Sequence, residues 1–195
     1  MAQTARSAIE PSDAPTDAAL VMAARAGEAW ACEALCRRHM RLVLGLSQRV
    51  LGGREDADDL AQDAFVEALQ CLGSLQNPQA FAGWLSSIVV RRAGKHLRRA
   101  RLLARLGLRA PVHIDPNTLI SSNAPADVVQ ELRGVYSILA SLPAEEQVAL
   151  VLRRVEGMEL LEIAEHMQLS VATIKRRLSA AEARLERALA GAVSR

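Results

Sequence analysis

The chain has 195 residues, half of them apolar, enough to build one large hydrophobic core or two small ones. Aromatic residues make up only 3% while Ala, Leu, Arg and Glu dominate, a composition of helices packed by aliphatic ridges that argues against a β-sandwich and for an all-α protein. The net charge of +2 is spread unevenly, so local charge says more about partners than the sum does, and no run approaches the about eighteen uninterrupted apolar residues of a membrane span.

Residues 1–16 (MAQTARSAIEPSDAPT) have no helical period and read as a disordered lead. The opening residues carry Asp, Glu and Pro in place of the apolar run of a signal peptide, and Cys32, Cys36 and Cys71 are an odd count. Both point to the reducing cytoplasm. From Asp17, the residues Leu20, Ala23, Ala24, Gly27, Ala31, Leu35, Leu42, Leu46 and Val50 recur at three- and four-residue spacings. They predict a helix pair broken near Gly27 and ended at Gly52-Gly53. A helix over residues 55–72 follows, with Leu60, Ala64, Ala68 and Leu72 on one stripe widened by Phe65 and Leu69. It stops at Gly73, before a loop ending in Asn77-Pro78. The next helix, over residues 78–106, is apolar early (Phe81, Trp84, Leu85, Ile88, Val89) and densely basic later. These helices make a first domain over residues 17–106. Residues 107–126, with Gly, prolines and no period, read as a flexible linker. A second domain over residues 127–190 reads as four helices, broken at Ser141-Leu142-Pro143, at Glu156-Gly157 and between residues 167 and 170. The fold expected is therefore two small helical domains on a flexible linker.

Within LEIAEHMQLSVATIKRRL, the small Ala164 lets two helices cross closely, Leu169 ends a tight turn, and Ile174 and Leu178 pin the second helix to the first. Ser170 can N-cap that second helix near Thr173. With Val171, Ile174, Leu178 and Ala181 turned inward, Ala172, Thr173, Lys175, Arg176 and Arg177 face out, as in the reading helix of a helix-turn-helix. A bundle helix with a solvated basic face is the plainer alternative.

Two charged segments lie in the first domain. Glu55, Asp56, Asp58, Asp59, Asp63 and Glu67 have only Arg54 to offset them. Acids in a first helical turn suit the helix dipole, but Asp59, Asp63 and Glu67 continue at i, i+4 beyond it as a ridge suited to a basic partner. Arg91, Arg92, Lys95, Arg98, Arg99, Arg101, Arg105 and Arg109 then follow with no acid among them, a cationic rod whose counterpart is phosphate. Such contacts give salt-dependent affinity without sequence choice. Phe81 and Trp84 could stack on bases, although i, i+3 spacing on an apolar stripe favours the core. Cys32, Cys36 and His39 share a helix face at a spacing open to metal ligation or a redox switch; with no fourth ligand identified, the reading as small buried side chains is preferred. His96, His113 and His166 are scattered and suggest no chemistry. No phosphate loop, metal motif or nucleophile with an adjacent base is found, so no enzyme, cofactor, metal or small-molecule substrate is expected.

The run LPAEEQVALVLRRVEGMELLEIAEHMQLSVATIKRRLSAAEARL resembles the promoter −35-binding domain of the extracytoplasmic-function (ECF, group IV) sigma factors, including Leu142-Pro143, Glu156-Gly157, Glu162-Ile163-Ala164 and Thr173-Ile174-Lys175. The resemblance implies −35 contacts by Ser170, Ala172, Thr173, Lys175, Arg176 and Arg177. Gln168 and Ala172 depart from the family by standing where it usually has Gly, and a left-handed backbone at Gln168 would be strained by about a kilocalorie per mole. The stretch Asp58-Asp59-Leu60-Ala61-Gln62-Asp63-Ala64-Phe65 is similar to the ECF core sequence. That implies docking on the coiled coil of the largest subunit of core RNA polymerase through Asp59, Leu60, Gln62, Asp63 and Phe65. By the same resemblance, the loop over residues 72–79 captures an extruded −10 base, and Asn77, Trp84, Arg91, Arg92, Lys95, Arg98 and Arg99 are the −10 candidates. Arg91 and Lys95 replace the family's usual Asn and Asp, making this surface more basic. The resemblance further implies promoter DNA as ligand, a linker threading toward the polymerase active centre, and control by an anti-sigma factor, often membrane-bound. A helix-turn-helix regulator that binds duplex DNA without polymerase is the alternative; it leaves the acidic ridge unexplained.

Overall fold

The computed structural model describes residues 14–52, 55–108 and 125–193. The first part holds α1 (Asp17–Arg25), α2 (Ala29–Leu51), α3 (Glu55–Gln70) and α4 (Phe81–Arg105), with 3₁₀ turns at Leu72–Ser74 and Pro78–Ala80. The second holds α5 (Ala126–Ser141), α6 (Ala144–Arg154), α7 (Leu160–Met167) and α8 (Val171–Val193). No strand occurs among the described residues. Most of the lead and of the linker segment lies outside them.

Local chemistry sets the boundaries. Thr16 Oγ1 accepts from the Ala19 N–H at 3.2 Å and caps α1. The α1–α2 break falls at Gly27 (φ +93°), and α2 ends on Gly52 (φ +76°), whose N–H donates to the Gln48 carbonyl at 2.7 Å. Two ends differ from expectation. The third helix stops at Gln70, because the chain tightens into the Leu72–Ser74 turn before Leu75 is buried. The fourth starts at Phe81, because Asn77 Oδ1 accepts from the Gln79 N–H (3.0 Å) and diverts Pro78–Ala80 into a 3₁₀ turn.

Helices α1 to α4 close over Leu20, Leu35, Leu46, Ala64, Leu85 and Val89. Helices α6 to α8 close over Val148, Leu152, Ile163, Ile174 and Ala181. The two sets join in one hydrophobic core, since α6 and α7 lie on α4 and α6 also meets α2. His39 is buried, its Nε2 2.9 Å from Asp17 Oδ2 and its ring 5.1 Å from that of Phe81. Cys32 and Cys36 are half-buried beside it, and burial, then Cys32, pushes the Cys36 thiol pKa up. The face read as a possible ligand set is therefore packed into the helix interface.

The turn between α7 and α8 hangs on Gln168, which adopts φ 54°, ψ 46° and sends its N–H to Glu165, while the Leu169 N–H returns to the Ala164 carbonyl at 2.9 Å. Left-handed backbone penalises any side chain with a Cβ. Gln168→Gly is expected to stabilise the protein by ~1 kcal/mol, read as a rise in thermal midpoint. A fall would show that the Gln168 side chain outweighs the backbone strain.

Candidate nucleic-acid interface

Along α3 the side chains divide by period. Asp58, Asp59, Gln62 and Asp63 are exposed, whereas Leu60 and Phe65 are only 4% and 7% exposed. Leu60 and Phe65, expected among the partner contacts, lie in the core that holds the helix. The ridge is also partly neutralised from within. Arg92 donates through Nη1 to Asp63 Oδ2 (2.7 Å) and through Nε to Glu67 Oε2 (2.5 Å). Asp63 nevertheless keeps two thirds of its side chain in solvent.

The basic half of α4 is correspondingly less free than its sequence suggests. Arg92 faces the carboxylates of α3, and His96 Nε2 lies 3.2 Å from Asp56 Oδ2. Arg91 donates to Ser87 Oγ at 2.9 Å, and Arg98 reaches Glu145 on α6 at 3.0 Å. Lys95 and Arg99 are exposed and carry no ion pair among the described residues. Arg101 gives Nη2 to Gln147 Oε1 at 2.5 Å, and its burial lowers its pKa, with Arg105 adding to the effect. Trp84 is half-buried against Phe81, ring centres 6.0 Å apart. The Asn77 side-chain oxygen is engaged in its own turn.

In the second bundle, Ser170 Oγ accepts from the Thr173 N–H at 3.2 Å and caps α8. Ile174, Leu178 and Ala181 are buried, Val171 is half-buried, and Ala172, Lys175 and Arg176 are exposed. Thr173 is half-buried with its hydroxyl on Ser170 (2.9 Å). Arg177 was expected to face outward; its Nη1 is bound to Glu145, and only 21% of its side chain is exposed.

Sequence reasoning missed several residues here. Arg25, at the end of α1, donates Nε (3.2 Å) and Nη2 (3.0 Å) to the Leu72 carbonyl and Nη2 to that of Leu75, fixing the start of the loop before α4. Gln147 is 2% exposed; its Nε2 donates to the Val50 carbonyl at 2.9 Å while its Oε1 takes Arg101. Arg49 pairs with Glu156 through Nε and Nη2. The one local signal was Gln147, a polar residue on the apolar face of α6 with Ala144, Val148 and Val151.

Residues 35–102 match the family model Sigma-70 region 2, and residues 132–185 match Sigma-70, region 4. The ECF RNA polymerase sigma factor SigM of Mycobacterium tuberculosis is 32% identical over 174 residues, covering 89% of this chain and 85% of SigM. The chain belongs to the ECF sigma factors. The RNA polymerase sigma-H factor of Pseudomonas aeruginosa is 30% identical over 186 residues, covering 89% and 93%. Among solved structures, CnrH in complex with the cytosolic domain of CnrY shares 29% identity with this sigma factor at a TM-score of 0.57, covering 90% of this chain and 97% of CnrH. RpoE of Bartonella quintana, solved with the anti-sigma factor NepR, shares the fold at 19% identity and a TM-score of 0.59, covering 80% and 95%. In this sigma factor α3 and most of α4 fall inside the region 2 match, and α7 with the first two thirds of α8 inside the region 4 match.

Proposed function

We propose that this sigma factor docks on core RNA polymerase, at the coiled coil of the largest subunit, through Asp59, Gln62 and Asp63 of α3, and directs initiation by reading promoter DNA with α4 and α8. The observation that carries this is the separation of charge. One bundle presents exposed carboxylates on α3, and the other presents a capped reading helix with Lys175 and Arg176 in solvent. A carboxylate ridge repels phosphate and fits a basic protein surface, so the two faces serve different partners. At the −10 element Lys95 and Arg99 are exposed cations of α4 without an ion pair among the described residues, and Arg91, Arg92 and Arg98 join them when their present partners release them. At the −35 element Lys175, Arg176, Ala172 and Thr173 reach base edges or phosphates from a helix whose N-terminus Ser170 fixes. Residues 17–106 and 127–190 act as the two functional domains, 107–126 as their linker and 1–16 as a lead.

Group IV membership and a cytoplasmic site of action fit this reading. So does control by an anti-sigma factor: CnrH was solved with the cytosolic domain of CnrY. No helix among the described residues is long and apolar enough to cross a membrane. Catalysis belongs to the polymerase.

Co-purification with bacterial core polymerase, followed by run-off transcription from genomic fragments, tests the reading. Asp59→Arg/Asp63→Arg is expected to lose polymerase affinity by at least about tenfold, with its helical circular dichroism unchanged. Wild type that ignores polymerase yet binds duplex DNA alone would move the protein to the free-standing regulators.

A further inference from the structure

The chain leaves α3 at Gln70 and enters α4 at Phe81, so the carbonyls between them lack the partners a continuous helix would give. Leu72 and Leu75 are buried there, whereas Gly73, Ser74, Gln76, Asn77 and Gln79 are exposed. None of these exposed residues is charged. The Gln76 and Gln79 amides each set a donor beside an acceptor, the pairing that a base edge offers and a phosphate does not. What holds the backbone behind them is α1. Arg25 spends Nε and Nη2 on the Leu72 carbonyl and Nη2 again on that of Leu75, so one planar guanidinium grips the loop at both of its buried residues. These bonds are charge-assisted and cross 47 and 50 residues of sequence. Helix α1 is held in turn. Leu20 and Val21 are fully buried, and Asp17 at its start accepts from Arg38 Nη1 at 2.8 Å and lies 2.9 Å from His39 Nε2, both on α2.

We infer that Arg25 is a positioning residue for promoter selectivity: it fixes residues 72–79 in the backbone course that presents Gln76 and Gln79 to a base of the opened strand. The selectivity role rests on the promoter reading proposed above, whereas the grip of Arg25 on the loop does not. Reading a base edge needs two groups held in register at once, so a loosened loop accepts more sequences. Phosphate contacts by α4 and base contacts by α8 are left as they are.

The full chain with core polymerase is assayed by run-off transcription on promoters carrying single-base changes in the −10 or the −35 element. The free chain is measured by hydrogen exchange of the amides of residues 72–79. Arg25→Gln removes both the fork and the charge. Arg37→Gln is the control, since it removes the same charge from an exposed pair with Glu33 on α2. Arg25→Gln is expected to lose about tenfold of the discrimination among −10 variants and to keep that among −35 variants. Its Ser74 and Leu75 amides should exchange faster, with Arg37→Gln matching wild type in every readout. Arg25→Lys keeps the charge without the fork and should recover at most part of the discrimination. Full recovery by Arg25→Lys overturns the grip on two carbonyls, and so does unchanged exchange in Arg25→Gln. A loss shared by −10 and −35 variants, with a lower thermal midpoint, makes Arg25 a residue of the fold alone and overturns the selectivity role. Faster exchange with unchanged discrimination overturns it too. A wild type that ignores polymerase ends the sigma reading and the selectivity role with it, while the exchange still decides whether Arg25 holds the loop.

Discussion

Phe81→Ala is expected to destabilise the first bundle by about 3 to 5 kcal/mol in urea or thermal unfolding. The side chain is 1% exposed and sits at the first residue of α4, between His39 of α2 and Trp84 one turn further on. Truncation loses the transfer energy of the ring and leaves a cavity that α2 and α4 cannot close, because both are fixed by other buried residues along their lengths. The tilted contacts with His39 and Trp84 add their own aromatic terms. Phe81→Leu refills much of the volume and should lose less than half as much. A change below about 1 kcal/mol would contradict the burial.

Gln147→Ala ranks second, with an expected loss of about 2 to 4 kcal/mol. Val50 lies in the last turn of α2, where carbonyls have no partner within their own helix, and the Gln147 amide supplies one from the other bundle. On the opposite side Arg101 gives a half-buried charge to the same side chain through Nη2, and its Nη1 has no hydrogen-bond partner among the described residues. Removing Gln147 therefore strands a buried carbonyl and weakens the satisfaction of a buried cation at once. Gln147→Glu separates the two, since it keeps an acceptor for Arg101 and sets a carboxylate against the Val50 carbonyl. Its loss should be intermediate. A silent Gln147→Ala would mean that water replaces both bonds and that the bundles are not coupled there.

What the sequence reveals about this protein follows the range of the interactions involved. The second bundle was legible almost residue by residue, because Pro143, Gly157 and the Gln168 to Ser170 turn punctuate it locally and Ile174 and Leu178 keep a clear period. The ends of α3 and α4 were misjudged because Leu72 and Pro78 extend the helical pattern, while the competing 3₁₀ turns depend on an Asn77 cap and on the burial of Leu75. In the candidate site, the Ser170 cap is a three-residue effect and could be read directly. Leu60 and Phe65 were grouped with exposed neighbours because a shared motif does not separate buried side chains from exposed ones. The pairs of Arg92 with Asp63, and of Arg98 with Glu145, span 29 and 47 residues and arise only when the helices pack. No spacing rule reaches that far.

Those same pairs bear on how the protein meets a polyelectrolyte. Each phosphate that a free cation neutralises on duplex DNA expels condensed counterions, so the number of such contacts sets how steeply binding weakens with salt. Arg92, Arg98 and Arg177 each start beside a carboxylate, and moving to DNA, as the proposed function requires, would leave that carboxylate to recruit a cation from solution. Part of the ion release is returned. The unbound chain therefore senses ionic strength less steeply than its arginine content suggests, because salt loosens the internal pairs while it weakens those with DNA.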